Sequence, residues 1–344
     1  HVDGNAVTLT YWDVSAEVDW TQDVSLLASP KLAVARQVTG LSVPRIDLIE
    51  RIMGTPFVHD LQLPGLVHGR VVQPPCLGAT LQHLDEASLG NRPGVLGVWR
   101  SGEVVGLIAD TAHHANAACE WAHLKAQWSL PANAPVDPIA EIRNSQEETS
   151  LIHSIGDVDQ AAGEVTAHLV SRPYLSHGSI GPSAAVAILA DQRLNVWSHA
   201  QGPFPLRDAL AVVLDMPAQS IDVIHHPGAG CYGHNGADDV ALDAALLAKA
   251  FPGRPVKVVW SRADEFRCSP LAPGMVTRVS ARVDQTHTIQ AMDVLVNSAP
   301  HGNRPGRNGS PNLRSAAFLE TPFLPSRSND IPLAGGGGAD RNAI

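Results

Sequence analysis

The sequence predicts an α+β protein built as two successive domains, on three observations. A chain of 344 residues, 44% hydrophobic and 17% charged, has room for roughly two domains of about 150 residues each. That composition, with a mean hydropathy of −0.01, belongs to a globular protein rather than a disordered one. Between Phe57 and Trp128, short strand-like runs and turn residues precede one alanine-rich helical stretch, the pattern of a helix packed on a small antiparallel sheet. After Leu151 a strand–loop–helix succession occurs twice, around Gln201 and around Gly228 to Gly236.

Residues 1–52 hold no catalytic signature. The β-prone run 6–12 and the mixed stretch 39–51 around Pro44 read as an N-terminal arm. Residues 53–130 make the first domain. There FVHDLQLPGLVHGRVVQPP, starting at Phe57, reads as two strands about a Pro64-Gly65 turn. Runs 95–99 and 104–109 flank Arg100-Ser101-Gly102-Glu103, a hairpin signal. Thr111 is placed to cap a helix over 112–127. Residues 131–150, polar and proline-containing, read as a linker.

Residues 151–344 make the second domain, with strands expected at 165–170, 184–189 and 195–198. The loop His199-Ala200-Gln201-Gly202-Pro203 leads into a helix whose Leu206, Leu210, Val213 and Leu214 share a face. That helix stops by Met216-Pro217. Residues 221–224 form the strand before the glycine-rich loop, and 240–250 the helix after it, ending at Phe251-Pro252-Gly253. Runs 256–260, 276–283 and 289–296 are expected to complete the sheet, with the tail from His301 as covering loop.

Several function classes fall away. With 24 basic against 34 acidic residues and a net charge of −10, no nucleic-acid surface is expected. No apolar run approaches the roughly 18 residues of a membrane span. The opening HVDGNAV has neither segment of a secretory signal. A start at His1 and an end in PLAGGGGADRNAI suggest a processed or partial chain. Cysteines 76, 119, 231 and 268 show no CxxC spacing, so neither a disulfide framework nor an iron–sulfur cluster is expected on this chain. A reducing, cytoplasmic environment is favoured, with a periplasmic one left open.

Single residue types add little. His113-His114 and His225-His226 are adjacent pairs whose side chains diverge, so no metal site of protein histidines is expected. His177 is read as lining the approach to a site or as a satisfied core group. Ser176, Ser179 and Ser183 lack a GxSxG context, which excludes a nucleophile elbow. Trp121 and Trp128, seven apart on the expected helix, read as packing.

The stretch from His225 to Asp239, HHPGAGCYGHNGADD, carries the chemistry. Its glycines allow positive φ and close approach of a ligand. Its place before a helix offers unpaired N–H groups and a dipole to an anion. Gly228-Ala229-Gly230-Cys231-Tyr232-Gly233 matches GxGxxG, which opens a Rossmann reading with NAD(P). Against it, His234-Asn235-Gly236 prolongs the loop beyond the third glycine, and the acidic residue expected about 20 positions on is missing. A purely structural turn is the plainer alternative.

FVHDLQLPGLVHGRVVQPP with GVLGVWRSGEVVGLIADT, then RPYLSHGSIGPSAAVA, WSHAQGPFPLRDALA and GAGCYGHNGADD, stand in a telling order and spacing. Together they resemble the large, molybdopterin-binding subunit of the xanthine dehydrogenase family of molybdenum hydroxylases. The nicotinate dehydrogenase and isoquinoline 1-oxidoreductase branch is the nearer likeness, over residues 38–344. The resemblance implies a small α/β hammerhead domain at 53–130 and the first molybdopterin-binding domain at 151–344, incomplete and with the second one absent.

Residue by residue, the resemblance sets Gln201 at the family's glutamine beside the oxo ligands of molybdenum. Its amide can donate to an oxo group or accept from a hydroxyl. Gly230, Cys231, Tyr232 and Gly233 match the GGFG-type loop whose backbone approaches the cofactor. Cys231 is not expected to ligate metal, because the family holds molybdenum through dithiolene sulfurs. Purine-oxidising relatives carry a glutamate about where Gly236 falls, so purine is a poor substrate expectation. Asp238 and Asp239 are given the simpler role of complementing the helix dipole.

The implied activity is oxidation of an electron-poor carbon beside a ring nitrogen, or of an aldehyde carbon, with water as oxygen source. The implied cofactor is molybdopterin with its molybdenum, the cytosine dinucleotide form being one option. Electrons would pass to 2Fe–2S clusters on a small partner subunit, and on to a cytochrome c or another acceptor. The family's general base, a glutamate in a GxGE-type motif, is expected beyond Ile344, so no catalytic residue is assigned here and the chain alone is expected to be inactive. A non-catalytic assembly segment and the Rossmann oxidoreductase stay open as alternatives.

Overall fold

The computed structural model describes residues 10–23, 29–54, 56–132, 137–144, 149, 151–299, 304–305 and 310–325. The chain divides into two compact units, His1–Thr55 and Pro56–Ile344.

The first unit contains α1 (Tyr11–Ser15), a 3₁₀ turn at Ala33–Ala35 and α2 (Leu48–Ile52). A capping box starts α1: Asp13 N donates to Thr10 Oγ1 at 3.2 Å, and Thr10 N donates to the Asp13 carboxylate at 2.8 Å. That is why Trp12 is helical although the run 6–12 is β-prone; residues 6–9 lie outside the described part. None of this unit's described residues is buried.

The second unit begins with β1 (Val67–Val72), β2 (Thr80–His83), α3 (Glu86–Gly90), β3 (Val95–Ser101), β4 (Val104–Ala109), α4 (Ala112–Lys125), β5 (Gln127–Ser129) and α5 (Pro138–Asn144). It continues with β6 (Glu164–Arg172), β7 (Leu175–Ser176), β8 (Ala184–Ala190), β9 (Arg193–Ser198), α6 (Pro203–Leu214), β10 (Ile221–His225) and α7 (Ala237–Ala250). The remaining elements are β11 (Val256–Val259), α8 (Arg262–Cys268), β12 (Leu271–Ala272), β13 (Met275–Val283), β14 (Ile289–Ser298) and a 3₁₀ turn at Ser315–Phe318. The α+β class expected from the sequence holds. Among the described residues, no helix is long and apolar enough to cross a membrane.

The main sheet has the order β10-β9-β8-β11-β1-β4-β3. β9 pairs β10 in parallel and β1 pairs β11 in parallel, while β8 runs against both of its neighbours. Consequently β9, β10, β11 and β1 point the same way and their carboxyl ends share one edge. The strands of 53–130 and those of 151–344 are thus joined in one sheet, a pairing of residues far apart in sequence.

Helix α7 explains the core. It is buried from Ala237 to Ala248, as suits an alanine- and leucine-rich helix whose three acids all find partners inside the protein. It lies between the sheet and the 3₁₀ turn, whose Ala316, Ala317 and Phe318 join the same cluster with Leu313. A second cluster fills the space between β1, β4 and α4 through Val72, Leu107, Ala115, Ala118, Cys119 and Ala122. Thr111 caps α4 as expected, accepting from His114 N at 3.2 Å.

Several expectations need correction. Only the second of the two strands expected around Pro64-Gly65 forms. Residues 57–61 close a turn instead, with Leu61 N donating to Phe57 O at 3.1 Å and the Asp60 carboxylate accepting from Phe57 N at 3.2 Å. The runs 165–170, 276–283 and 289–296 do not complete the main sheet. They form a separate three-stranded sheet, β14-β13-β6, because both edges of β11 are already paired with β8 and β1. Helix α4 ends at Lys125, so Trp128 does not share its face; Trp128 sits in β5 opposite Leu81 of β2. α5 falls inside the expected linker, whose residues 133–136, 145–148 and 150 lie outside the described part, as does most of the tail from His301.

Candidate cofactor site

Two loops leave the same edge side by side because β9 and β10 are parallel neighbours, with Ile224 opposite Trp197 and His225 opposite Ser198. In open α/β sheets the crevice outside the carboxyl ends of such strands is where ligands bind. The loop roots are tied together. His226 N donates to Ser198 O at 2.9 Å. Ser198 Oγ accepts from Ala200 N at 3.1 Å and donates to Ala237 O, at the start of α7, at 3.0 Å.

This geometry brings Gln201 onto the glycine-rich loop. Gln201 Nε2 donates to Cys231 Sγ at 3.2 Å, and the thiol donates to Gly233 O at 3.3 Å. Residues 179–183 close the third side. Gly181 N donates to Ala229 O at 2.9 Å, and the Arg262 guanidinium on α8 holds the carbonyls of Ser179 and Ile180, each at 2.7 Å. Buried Glu265 accepts from Ser183 N at 2.8 Å and from its hydroxyl at 3.2 Å. Ser183 is therefore a structural partner of Glu265.

Two glycines are dictated by this packing. Gly233 has φ +152°, and a Cβ there would overlap the His177 imidazole, 3.0 Å from Cε1 and nearer still to Nε2. Gly236 caps α7 with an ordinary φ of −78°, but a Cβ would lie 2.9 Å from Cη2 of the Trp260 indole and closer to Cζ3. Trp260 is buried and its Nε1 donates to Asp243 Oδ2 at 2.9 Å. Position 236 therefore has no room for a side chain.

The polar groups around the loop leave unused capacity. His199 is buried, and Ala184 N donates to its Nε2 at 3.2 Å, which puts the proton of the neutral ring on Nδ1. Burial first, then His59 and His225, push its pKa down to about 4. His199 Nδ1, Asn235 Nδ2 and Ser179 Oγ are buried without a hydrogen-bond partner among the described residues. An unmet buried donor costs about 1–3 kcal/mol. Three of them around one glycine-rich loop fit a polar ligand taking up those bonds. The N-termini of α6 and α7 add two dipoles at the same edge; α6 has no side-chain cap, and in α7 the Asn235 Oδ1 accepts from Ala237 N at 3.2 Å.

The acidic residues of α7 look inward. Asp238 faces His234 Nε2 at 3.3 Å. Asp239 is buried, accepts from Arg314 N at 2.7 Å, and burial raises its pKa to about 8. Asp243 takes Trp260, Gln73 and Ser315 as donors, and burial raises its pKa to about 6. The dipole role expected of Asp239 does not suit a carboxyl that burial keeps protonated; Asp239 and Asp243 instead anchor residues 314–315. His114 pairs with Asp110 rather than with His113. Among the described residues, no group of three or more His, Cys, Asp or Glu side chains is arranged to hold a metal ion.

Sequence reasoning singled out Gln201, Gly230, Cys231, Tyr232 and Gly233, and the structure brings Gln201, Cys231 and Gly233 into direct contact. Tyr232 is half exposed, its hydroxyl 3.0 Å from where a Gly230 Cβ would stand. Sequence reasoning missed His199, Asn235, Ser179, Trp260 and Glu265 as parts of the site. His199 lies two residues from Gln201 in the same loop, which was the nearest signal to it.

Comparison with known proteins agrees with this geometry. Residues 142–307 match the molybdopterin cofactor-binding domain. The chain is 32% identical over 282 residues to a nicotinate dehydrogenase subunit of Pseudomonas putida, an alignment covering 77% of this chain and 23% of that protein. It is 25% identical over 268 residues to the beta subunit of isoquinoline 1-oxidoreductase from Brevundimonas diminuta, covering 72% and 34%. It thus spans about a third or less of the length of these curated relatives. Quinoline 2-oxidoreductase from Pseudomonas putida 86 shares the fold with a TM-score of 0.60 at 20% identity, over 75% of this chain and 39% of that one. A Rossmann site asks for a mostly parallel sheet, whereas β8 here runs against both neighbours. With a domain match over 142–307 and a nicotinate dehydrogenase subunit aligned along 77% of it, this chain belongs to the xanthine dehydrogenase family of molybdenum-dependent oxidoreductases, on the side of its molybdopterin-binding subunit.

Proposed function

We propose that this chain forms one wall of the molybdenum cofactor site of a hydroxylase complex, with Gln201, Gly230, Cys231, Tyr232 and Gly233 facing the cofactor. The observation that carries the proposal is the Gln201–Cys231 contact. It joins two loops 30 residues apart into one cradle, beside buried donors that lack partners among the described residues. When bound, the cofactor supplies a two-electron oxidation in which water provides the oxygen. The chain's own share is positioning and hydrogen bonding. Gly230 and Gly233 let the loop fold against Tyr232 and His177, the Gln201 amide meets the polar face of the group, and the neutral His199 ring offers Nδ1–H nearby.

The proposed substrate is an N-heteroaromatic compound or an aldehyde. The names of the similar proteins support this, nicotinate dehydrogenase and isoquinoline oxidoreductase among them. So does the Gly236–Trp260 packing, which leaves no room for a carboxylate at 236. Electrons are proposed to pass to 2Fe–2S clusters on a small partner subunit and then to a cytochrome c or another acceptor. A reducing, cytoplasmic setting is proposed for the complex, with a periplasmic one left open. Residues 53–130 are proposed as the hammerhead domain and 151–344 as the molybdopterin-binding one, with the cytosine dinucleotide form of the cofactor admitted.

The test is oxidative extraction of pterin from the purified complex, read by fluorescence, beside Gly233→Ala. Loss of extractable pterin in a variant that still folds is the expected result. Full pterin content in Gly233→Ala would refute the cradle.

A further inference from the structure

We infer that Cys231 is a positioning residue, which fixes the end of the Gln201 amide that faces the cofactor; this rests on the cofactor reading above. A thiol has one hydrogen, and here it is spent on Gly233 O at 3.3 Å. The sulfur is then left as an acceptor toward Gln201, so the amide nitrogen must be the end that turns to it, at 3.2 Å. Cys231 Sγ is the only side-chain partner of Gln201 among the described residues. Gln201 itself is exposed, so nothing else there chooses between its two ends.

The consequence is directional. With one N–H held by sulfur, Gln201 presents its carbonyl oxygen and its second N–H to the cofactor side in a set orientation. Without the thiol, the amide rotates freely and presents either end. The anchor is rigid because residues 229–233 are held from both sides, by Gly181 N on Ala229 O and by the His177 ring packed on Gly233. Sulfur also suits the span, since a hydroxyl at the same Cβ reaches less far for the same pair of bonds.

The test is a double-mutant cycle in the intact complex, reading the rate of molybdenum loss after dilution by metal analysis. Losing one neutral hydrogen bond speeds loss about fivefold. Cys231→Ala and Gln201→Ala are each expected to do so, Cys231→Ser to fall between them and wild type, and the double variant to lose metal no faster than Gln201→Ala. Should Cys231→Ala fail to fold, Cys231→Ser with Gln201→Ala completes the same cycle. Multiplying effects, or wild-type retention in Cys231→Ala while Gln201→Ala leaks, would overturn the inference and leave the cofactor reading intact. A wild-type complex without molybdenum would overturn both.

Discussion

Replacing Gly236 by alanine tests how the loop is built. The backbone there has φ −78°, so the substitution brings no backbone strain and its cost is steric. The new methyl would stand 2.9 Å from Trp260 Cη2 and 3.1 Å from Ser183 Oγ. Overpacking of this kind costs about 1–3 kcal/mol. The indole cannot swing away freely, because its Nε1 is bonded to Asp243 at 2.9 Å, and breaking that bond adds about 1 kcal/mol. Alanine is also a poorer N-cap than glycine. The overpacking and the lost bond together come to about 2–4 kcal/mol, which at roughly 2–4 °C per kcal/mol lowers Tm by about 4–16 °C. Thermal unfolding followed by circular dichroism reads it. In a Trp260→Leu background the same substitution should cost clearly less, about 1 kcal/mol, with the cap effect and the Ser183 Oγ contact remaining. An unchanged Tm in Gly236→Ala, or an equal increment in both backgrounds, would refute the steric account.

The buried carboxyls predict a pH dependence. Asp239, raised to about 8 by burial, keeps a proton in the folded chain that the unfolded chain has already released, so stability falls as pH rises from about 4 to 8. His199, lowered to about 4, works the opposite way between about 4 and 6.5, where the unfolded chain takes up the proton. Asp243, raised to about 6, acts in the same sense as Asp239 between about pH 4 and 6, and from pH 6.5 to 8 the Asp239 effect dominates, with a slope of about 1.4 kcal/mol per pH unit. Asp239→Asn should flatten urea-unfolding free energies across that window, and an equally steep fall in the variant would contradict the assignment. Thr111→Ala should cost about 1 kcal/mol through the lost cap of α4, and Thr111→Ser should restore it; equal stability of all three in urea unfolding would show the cap to be idle.

Local signals were legible in the sequence and long-range ones were not. Thr111 announces α4, the Arg100–Glu103 turn announces the β3–β4 hairpin, and both strand–loop–helix units stand close to where the periodicity put them. α8 was missed although Ser261 and Asp264 write its capping box, because it is short and directly follows the stronger apolar signal of β11. The parallel pairing of β1 with β11 joins Val67 to Val256, and no local pattern encodes such a distance. Asp239 read as an acid complementing the helix dipole, and Asp243 carried no reading of its own. They are buried because residues 313–318 fold over them, which depends on contacts made some 70 residues away. For the site, Gln201 and the loop were legible by resemblance. Their direct contact through Cys231 Sγ required the β9–β10 register.

The most direct test of the central claim is the metal content of the purified complex that contains this chain, measured by inductively coupled plasma mass spectrometry. A chain that forms one wall of the cofactor site should bring about one molybdenum per copy with extractable molybdopterin. A folded complex carrying bound NAD and no molybdenum would contradict it.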